Sequence, residues 1–346
     1  RVLIVRLGAM GDVLHGLPVA AALRHALPGC EIGWLVEERW AEMLCAPDAP
    51  RSGTTNDSRP LVERVHTVNT RKWRKSITST ETRNAFACVI RDLRDMQYDA
   101  VVDIQGAWKS AIFARLACGK RVIGFAAPRE QGVQLLYSQR VRTDARHVVE
   151  MNLAVVEALT HVPTQSLSFA LPHHEASEAW VNRELTSRNI RDFALLTPGA
   201  GWAAKQWPPE RFGELAREFH AQGIAPLINF GPGEQGLADQ VVAGSQGSAQ
   251  AITCGLSQLI ALTRRARLFI GGDTGPTHLA AALDVPVVAL FGPTDPARNG
   301  PYSSRSVVLR NPGSTTSYQH VSTADPGLMS ITTEEVWSAA RRLLEI

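Results

Sequence analysis

Residues 268–296 read LFIGGDTGPTHLAAALDVPVVALFGPTDP, and this stretch decides the fold. Its two apolar ends predict short buried strands at 268–270 and 285–291. The segment between them has the apolar spacing of a compact helix that begins near Pro276. Strands that are apolar on both faces belong to a parallel sheet. The stretch therefore predicts a strand–helix–strand unit of an α/β fold.

The turn that follows the first of these strands predicts an anion site. Two glycines let the backbone approach a ligand closely, and Asp273, Thr274 and Gly275 bring free backbone N–H groups to the helix start. An ordinary turn in which Thr274 caps the helix would have a similar sequence. The imidazole of His278 one turn later, and a second tight turn at residues 292–295, favour the ligand site.

The run GGDTGPTHLAAAL followed by FGPTDP resembles the donor-site signature of the bacterial ADP-heptose:lipopolysaccharide heptosyltransferases, in glycosyltransferase family 9. The resemblance implies the GT-B fold class, an α/β architecture of two facing Rossmann-like domains with parallel sheets and an interdomain cleft. It also implies that the C-terminal domain holds the nucleotide sugar. In that domain, Asp273, Thr274, Gly275 and His278 are then expected to bind ADP-heptose.

Composition fits a protein of two α/β domains. The 346 residues suffice for two domains of common size, and 45% hydrophobic with 20% charged residues is ordinary globular composition. Residues 1–150 carry 22 Lys and Arg against 16 Asp and Glu, whereas the rest carries 14 against 17. The N-terminal half is therefore expected to meet an anionic partner, and no nucleic-acid partner is expected.

Cysteine usage and hydropathy indicate the compartment. The five cysteines are far apart and lack Cys-x-x-Cys spacing, so neither a disulfide framework nor a zinc site is predicted. They are expected to be small core residues in a reducing cytoplasm: Cys30, Cys45, Cys88, Cys118 and Cys254. The chain opens as a strand without a signal sequence, and no apolar run approaches the roughly 18 residues of a membrane span. We expect a cytoplasmic protein whose membrane contact is peripheral.

The N-terminal segment predicts a second strand–turn–helix unit. Residues 1–6 form an apolar strand, LGAMGD turns it into a helix that runs to Pro28, and residues 31–37 form the next strand. A nicotinamide enzyme would share this pattern, but GAMG has two glycines instead of three, and Asp12 would repel a pyrophosphate. Asp12 is either a first-turn acid favoured by the helix dipole or, as the resemblance of MGDVLH implies, the general base.

A basic segment, RKWRK, follows a turn-rich loop at 47–60, predicted to be mobile, and a strand at 62–68. Charge alone fits a solvated connection. Members of the family that act on the innermost core sugar have a similar segment, which implies that its cations meet acceptor phosphates and carboxylates: Arg71, Lys72, Arg74 and Lys75. Trp73 is expected to pin the segment to the domain surface.

The middle of the chain contributes further expected acceptor contacts. A helix is predicted at 80–96, a strand followed by a turn at 100–106, and a strand at 121–125. The pattern DIQGAWKS resembles the family, which implies acceptor contacts for Gln105 and Lys109, and Arg129 lies in another region with that role. The i,i+3 pair of His147 and Glu150 also matches relatives, although such a pair on a helix needs no function.

The predicted domains are residues 1–162 and 177–346, joined by a Pro- and His-containing linker at 163–176. The last helix is expected to be able to pack back on the first domain. After a strand at 192–198, a glycine-containing loop can cradle phosphate. The resemblance implies nucleotide contacts for four residues that follow strands of this domain: Ala200, Gly201, Lys205 and Glu234.

These observations predict an inverting transfer of heptose from ADP-heptose to the Kdo of Kdo-lipid A, on the inner face of the inner membrane. Asp12 would take the acceptor proton, Lys205 and His278 would meet the charge of the leaving ADP, and Asp273 would hold sugar hydroxyls. No Asp-x-Asp occurs, so neither a metal nor a cofactor is expected, and a monomer is expected. The alternatives are transfer of the second heptose, a nicotinamide oxidoreductase or a non-catalytic nucleotide-binding module.

Overall fold

Strand pairing separates the chain into two α/β units, Arg1–His173 and His174–Ile346. The computed structural model describes residues 1–117, 119–164, 168–317 and 323–346, so Cys118 and part of the predicted linker lie outside the described residues. Each unit has a six-stranded sheet in which every pairing is parallel. The α/β class predicted from the sequence is confirmed in both units.

The first sheet has the strand order of a Rossmann fold. Its strands are β1 (Val2–Val5), β2 (Ile32–Glu37), β3 (Arg64–Val68), β4 (Ala100–Asp103), β5 (Arg121–Phe125) and β6 (Gln139–Val141). They pair in the order β3-β2-β1-β4-β5-β6. The chain therefore changes direction across the sheet between β1 and β4, and such a switch point leaves a crevice at the carboxyl ends of the strands.

Helices cover the first sheet. They are α1 (Met10–Leu14), α2 (Leu17–Ala26), α3 (Thr70–Lys75), α4 (Thr80–Asp95), α5 (Trp108–Leu116) and α6 (Val148–Thr160). The single helix predicted after the first strand is wrong, because Pro18 lacks an N–H and stands in the first turn of a new helix. The basic segment is also not a loop, since Asn69 caps α3 by accepting the Lys72 amide at 3.1 Å.

The second sheet repeats the same order. Its strands are β7 (Phe193–Thr197), β8 (Ala225–Asn229), β9 (Gln250–Ile252), β10 (Leu268–Gly272), β11 (Val287–Phe291) and β12 (Ser306–Arg310). They pair as β12-β11-β10-β7-β8-β9, so the switch point lies between β7 and β10. The parallel pairing of β10 with β11, predicted from residues 268–296, is confirmed.

Eight helices are described in the second unit. They are α7 (Glu175–Ser187), α8 (Pro209–Ala221), α9 (Gln235–Gly244), α10 (Leu256–Arg265), α11 (Gly275–Ala282), α12 (Pro296–Asn299), α13 (Pro326–Ser330) and α14 (Thr333–Leu344). The last helix packs on α8 of its own unit, where Trp337 meets Phe219 edge to face with ring centroids 5.0 Å apart. None of the helices in the described parts of the chain combines the length and apolarity that a membrane span requires.

The turn-rich segment at residues 47–60 is tied together by buried Arg59, which donates to the carbonyls of Pro50, Thr54 and Val62. Its mobility stays a prediction. The expectation that the cysteines are core residues needs correction. Cys45 is buried, but Cys88 is exposed on α4, and the described cysteines are free thiols.

Candidate functional site

The switch point of the second sheet brings together three side chains that the sequence singles out. Lys205 closes a 3-10 helix, Ala203–Lys205, after β7, and Asp273 follows β10. The Lys205 Nζ lies 2.5 Å from Asp273 Oδ2, and His278 Nε2 lies 3.1 Å from Asp273 Oδ1. All three side chains are buried or nearly so. One carboxylate thus holds a lysine from one segment and a histidine from another.

Glycines at the end of β10 make this approach feasible. A Cβ on Gly272 would fall 2.9 Å from the Lys205 carbonyl oxygen, and a Cβ on Gly271 would fall 2.3 Å from Thr197 Oγ1. Neither distance is compatible with a side chain. The paired glycines therefore allow the segment that carries Lys205 to lie directly on the strand that carries Asp273.

Asp273 is ionised in these surroundings. Burial acts to raise its pKa, but the hydrogen bonds and charges of His278 and Lys205 outweigh burial and hold the pKa well below the usual range of a carboxyl group. Lys205 Nζ also stands over the Trp202 ring, 5.0 Å from its centroid, in a cation–π contact. The Lys205 position is therefore fixed from two sides.

Helix α11 begins beside this cluster with a hydroxyl that lacks a partner. Thr274 occupies the N-cap position, but its side chain makes no capping hydrogen bond, so the alternative interpretation, an ordinary turn capped by Thr274, is wrong. Its Oγ1 is buried and makes no hydrogen bond. Buried hydroxyls rarely remain unpaired, and the Gly275 amide beside it belongs to the first turn of the helix, where N–H groups favour anions.

The other predicted nucleotide contacts lie on neighbouring loops of the same sheet edge. The Glu234 carboxylate lies so close to Gly199 that a Cβ on this glycine would fall 2.3 Å from the carboxylate. The same carboxylate accepts the Gly231 amide at 2.8 Å. Ala200 is half-buried and Gly201 is exposed, with no atom within 4 Å of where a Cβ would be. The loop after β7 therefore has open space next to Gly201.

At the switch point of the first sheet, a buried arginine that the sequence analysis missed grips Asp12. Arg6 ends the first apolar segment and donates to the Ile104 carbonyl across the switch point. Its Nη2 lies 2.7 Å from Asp12 Oδ1, while the Ala9 amide donates to Asp12 Oδ2 at 2.9 Å. The carboxylate remains about one-third exposed. Asp12 thus lies in the first turn of α1, where its position allows either of the two roles considered above. The signal for its partner was an arginine placed just before a glycine turn.

The Gln105 side chain is buried and does not lie on the surface. Its Oε1 accepts the Leu7 amide at 2.8 Å, which ties the turn after β4 to the turn before Asp12. This side-chain oxygen is engaged with the backbone, so the residue contributes to the shape of the turn. Lys109 and Arg129 are exposed. The segment that carries Arg129 lies against the turn after β4, since the Glu130 amide donates to the Gly106 carbonyl at 3.0 Å.

The four cations of α3 are all exposed, and Lys72 is paired with Glu81 at 2.8 Å. The predicted role of Trp73 as an anchor is confirmed, since its ring lies 6.1 Å from Phe86 and 6.3 Å from Phe113. Arg71, Arg74 and Lys75 therefore place three further exposed positive charges on this short helix.

Within the described ranges, no three His, Cys, Asp or Glu side chains lie close enough to hold a metal ion. His147, which matches the family pattern, caps α6 by accepting the Val149 amide at 3.2 Å. The expectation that no metal is needed stays a prediction.

Two Rossmann-type sheets, one of which ends at a lysine–aspartate–histidine cluster beside a helix start, fit the GT-B class of glycosyltransferases. The family described as glycosyltransferase family 9 (heptosyltransferase) matches residues 86–326. The chain belongs to this family.

Several known heptosyltransferases are similar to this chain along nearly its whole length. Lipopolysaccharide heptosyltransferase 1 of Pseudomonas aeruginosa is 30% identical over 311 residues, covering 89% of this chain and 83% of the relative. The protein of the same name from Escherichia coli K12 is 31% identical over 317 residues, covering 90% and 94%. The solved structure of E. coli heptosyltransferase WaaC with ADP has a TM-score of 0.79 at 27% identity and covers 99% of both chains. The predicted GT-B class is thereby confirmed.

Proposed function

We propose that the chain transfers L-glycero-D-manno-heptose from ADP-heptose to the Kdo of the lipopolysaccharide inner core. The observation that carries the proposal is the cluster of Lys205, Asp273 and His278 at the start of α11. The names of the relatives support heptose as the sugar. A structure of WaaC with ADP-2-deoxy-2-fluoro heptose, similar to this chain with a TM-score of 0.77 at 28% identity, supports ADP as the nucleotide.

The pyrophosphate of ADP-heptose would lie at the start of α11. The ammonium of Lys205, the amide of Gly275 and the unpaired hydroxyl of Thr274 are the groups there that can donate to phosphate oxygens. Asp273 would chiefly orient Lys205 and His278, because both of its oxygens are already engaged, and its remaining lone pairs can accept a sugar hydroxyl. Glu234, Ala200 and Gly201 would border the adenosine.

Asp12 would act as the general base in a single inverting displacement. Its carboxylate takes the proton of the acceptor hydroxyl while that oxygen forms a bond to the anomeric carbon. The bond from the anomeric carbon to the phosphate oxygen breaks, and its electrons leave with ADP. Arg6 holds the Asp12 carboxylate through Oδ1, so the orientation of the remaining lone pairs of Asp12 is fixed.

The acceptor is anionic, and the exposed cations of the first unit fit it. Arg71, Arg74 and Lys75 on α3, with Lys109 and Arg129 beyond β4, offer separate positive charges to carboxylates and phosphates. Lys72 would have to leave Glu81 to join them. Gln105 would support this surface by shaping the turn. We further propose a monomer at the cytoplasmic face of the inner membrane that needs no metal for turnover.

A turnover assay tests the proposal directly. Purified chain is mixed with ADP-heptose and either Kdo-lipid A or the same lipid already bearing one heptose, with EDTA present, and ADP release and product mass are followed. Product from Kdo-lipid A alone supports the proposal, and product only from the heptosylated lipid reassigns the chain to the second heptose. Thermal protection by NAD without protection by ADP would instead favour a nicotinamide enzyme.

A further inference from the structure

Helix α5 has large apolar side chains on its outer surface as well as on its inner one. Trp108 is 45% exposed and Ile112, one turn later, is 42% exposed. Ala111, Phe113 and Ala114 on the other side are buried in the core of the first unit. A surface helix normally has a polar outer face, so the exposed pair is not explained by packing of the sheet.

A third exposed apolar residue lies beside this pair. Leu135 is 72% exposed and belongs to the short 3-10 helix Val133–Leu136, which packs next to α5. Gly132, which precedes it, lies against the Trp108 ring, since a Cβ there would fall 3.0 Å from Cζ2. The three apolar side chains therefore form one local surface, and contiguous apolar surface marks an interaction site more often than single exposed residues do.

The charges around this surface are mainly positive. Helix α5 contains no acidic residue, and Lys109 and Arg115 are its exposed cations. Successive residues of an α-helix are about 100° apart, so Lys109 and Arg115 lie on opposite sides of the strip formed by Trp108 and Ile112. We call Trp108, Lys109, Ile112, Arg115 and Leu135 the α5 face.

Two further arginines border the α5 face. Arg94 donates to the Leu116 carbonyl at 2.9 Å at the end of α5, and Arg140 donates to the Gln134 carbonyl at 2.9 Å. The nearby carboxylate of Glu130 accepts the Trp108 amide at 2.7 Å. The cations thus outnumber the acid that contacts this part of the unit.

We propose that the α5 face rests on an anionic lipid bilayer. An indole ring is suited to the headgroup level of a membrane, and aliphatic side chains beside it can enter the acyl boundary. Lysine and arginine at the rim are attracted to anionic headgroups, each adding roughly fivefold to partitioning. Charge complementarity therefore favours an anionic membrane over an uncharged partner.

The inference rests on the proposed function in one respect, the lipid nature of the acceptor. Lys109, a proposed acceptor contact, belongs to the α5 face. A chain that docks through this face would meet the acceptor sugar while its lipid stays in the bilayer. Docking itself needs neither ADP-heptose nor acceptor, so it can be measured without turnover.

Vesicle sedimentation tests the proposal. The full chain is mixed with vesicles of phosphatidylcholine alone or with about one-third phosphatidylglycerol, and the bound fraction is measured against lipid concentration. We expect binding to the anionic vesicles that falls as salt is raised, because the rim charges are screened. Ile112→Asn with Leu135→Asn should lower partitioning at least tenfold, and Arg115→Glu should lower it several-fold.

Met329→Asn is the matched control, since Met329 is an exposed apolar residue of the second unit, and it should bind vesicles like the unaltered chain. All variants should keep their melting temperature and their kcat/KM on an acceptor that lacks acyl chains. Unchanged vesicle binding by the double variant and by Arg115→Glu overturns the proposal. So does a concentration-dependent dimer that Ile112→Asn dissociates, which would make the α5 face a contact between copies.

The two proposals can fail separately. Normal vesicle binding by a chain that does not turn over ADP-heptose would reject heptose transfer and keep the membrane surface. Full turnover with no vesicle binding would reject the membrane surface and keep heptose transfer.

Discussion

The fourth strands of the two sheets, β4 and β10, both lead to a buried aspartate, but the two carboxylates have opposite electrical surroundings. Asp103 ends β4, and Asp273 follows β10. Neutral groups donate to Asp103: the backbone amides of Gln105 and Gly106 and the hydroxyls of Ser110 and Tyr137. Asp273 is instead held by Lys205 and His278.

The pKa values of the two groups shift in opposite directions for this reason. Burial raises the pKa of Asp103, and its hydrogen bonds do not offset the loss of solvent. Burial acts the same way on Asp273, but the two basic partners reverse it and lower the pKa. Asp103, with neutral partners, serves the turn after β4, whereas Asp273, with cationic partners, keeps its charge beside the proposed nucleotide site.

The largest expected effect is that of replacing Asp12, the partly exposed carboxylate at the switch point of the first sheet. Asp12→Asn should lower kcat by about 10²–10⁴-fold, because the amide cannot accept the acceptor proton. ADP affinity should stay unchanged, since Asp12 does not belong to the unit proposed to bind ADP. Steady-state kinetics and ADP calorimetry on the same preparation check this. Retention of more than about one hundredth of the rate removes Asp12 as the base.

Asp273→Asn should be the most damaging change in the second unit. It leaves buried Lys205 without its counter-charge, and breaking a buried ion pair from one side costs about 3–5 kcal/mol. We expect a lower urea midpoint and loss of ADP binding. Asp284→Asn, an exposed aspartate of the same unit, is the control and should leave both unchanged. Wild-type stability of the Asp273 variant would show that the pair contributes little.

The strand–turn–helix units were predictable because their apolar runs are continuous and their glycine turns are short. Strands β6 and β9 were missed, since each has only three residues and begins with glutamine, which gives no apolar run. The resemblance implied that Lys205 and Asp273 both serve the nucleotide sugar, but it did not predict their direct contact, and local spacing could not, because the two residues are 68 positions apart. Arg6 was missed although it stands only six positions before Asp12, and its other partner, the Ile104 carbonyl, is set by strand order.

Lys205→Ala should weaken ADP binding by about 1–3 kcal/mol, through loss of a charge-assisted contact that is shielded from water. Lys205→Arg keeps the charge and should recover part of the loss if charge is what matters. Calorimetry at two salt concentrations measures both. ADP affinity that does not change in Lys205→Ala excludes the residue from the nucleotide site.

Exposed cations should matter less than this buried one. Arg74→Ala with Lys75→Ala should raise the acceptor KM by about fivefold or less per charge and leave the ADP-heptose KM unchanged, because exposed ion pairs are worth about 0–1 kcal/mol. The effect should shrink as salt is raised. Arg83→Ala with Arg91→Ala, two exposed cations on α4, controls for net charge. Equal changes in both double variants would mean that α3 has no special role.

The smallest expected effect is that of Asp103→Asn, and the pH dependence of stability distinguishes Asp103 from Asp273 most clearly. Asp103→Asn should change the free energy of unfolding by about 1 kcal/mol or less near neutral pH, because its amide oxygen can still accept backbone amides while the Ser110 and Tyr137 hydroxyls can turn to accept from its NH₂. The pKa of Asp103 is raised on folding, so the advantage of the native residue is greatest below about pH 3.9, the unfolded value, and declines as pH rises through the folded pKa. The pKa of Asp273 is lowered, so its advantage over Asn is present above about pH 3.9 and is lost as pH falls toward the folded pKa. Urea unfolding of both variants and the native chain from pH 3 to 8 measures the two slopes. Slopes of the same sign would mean that the partners of the two carboxylates do not control their charge.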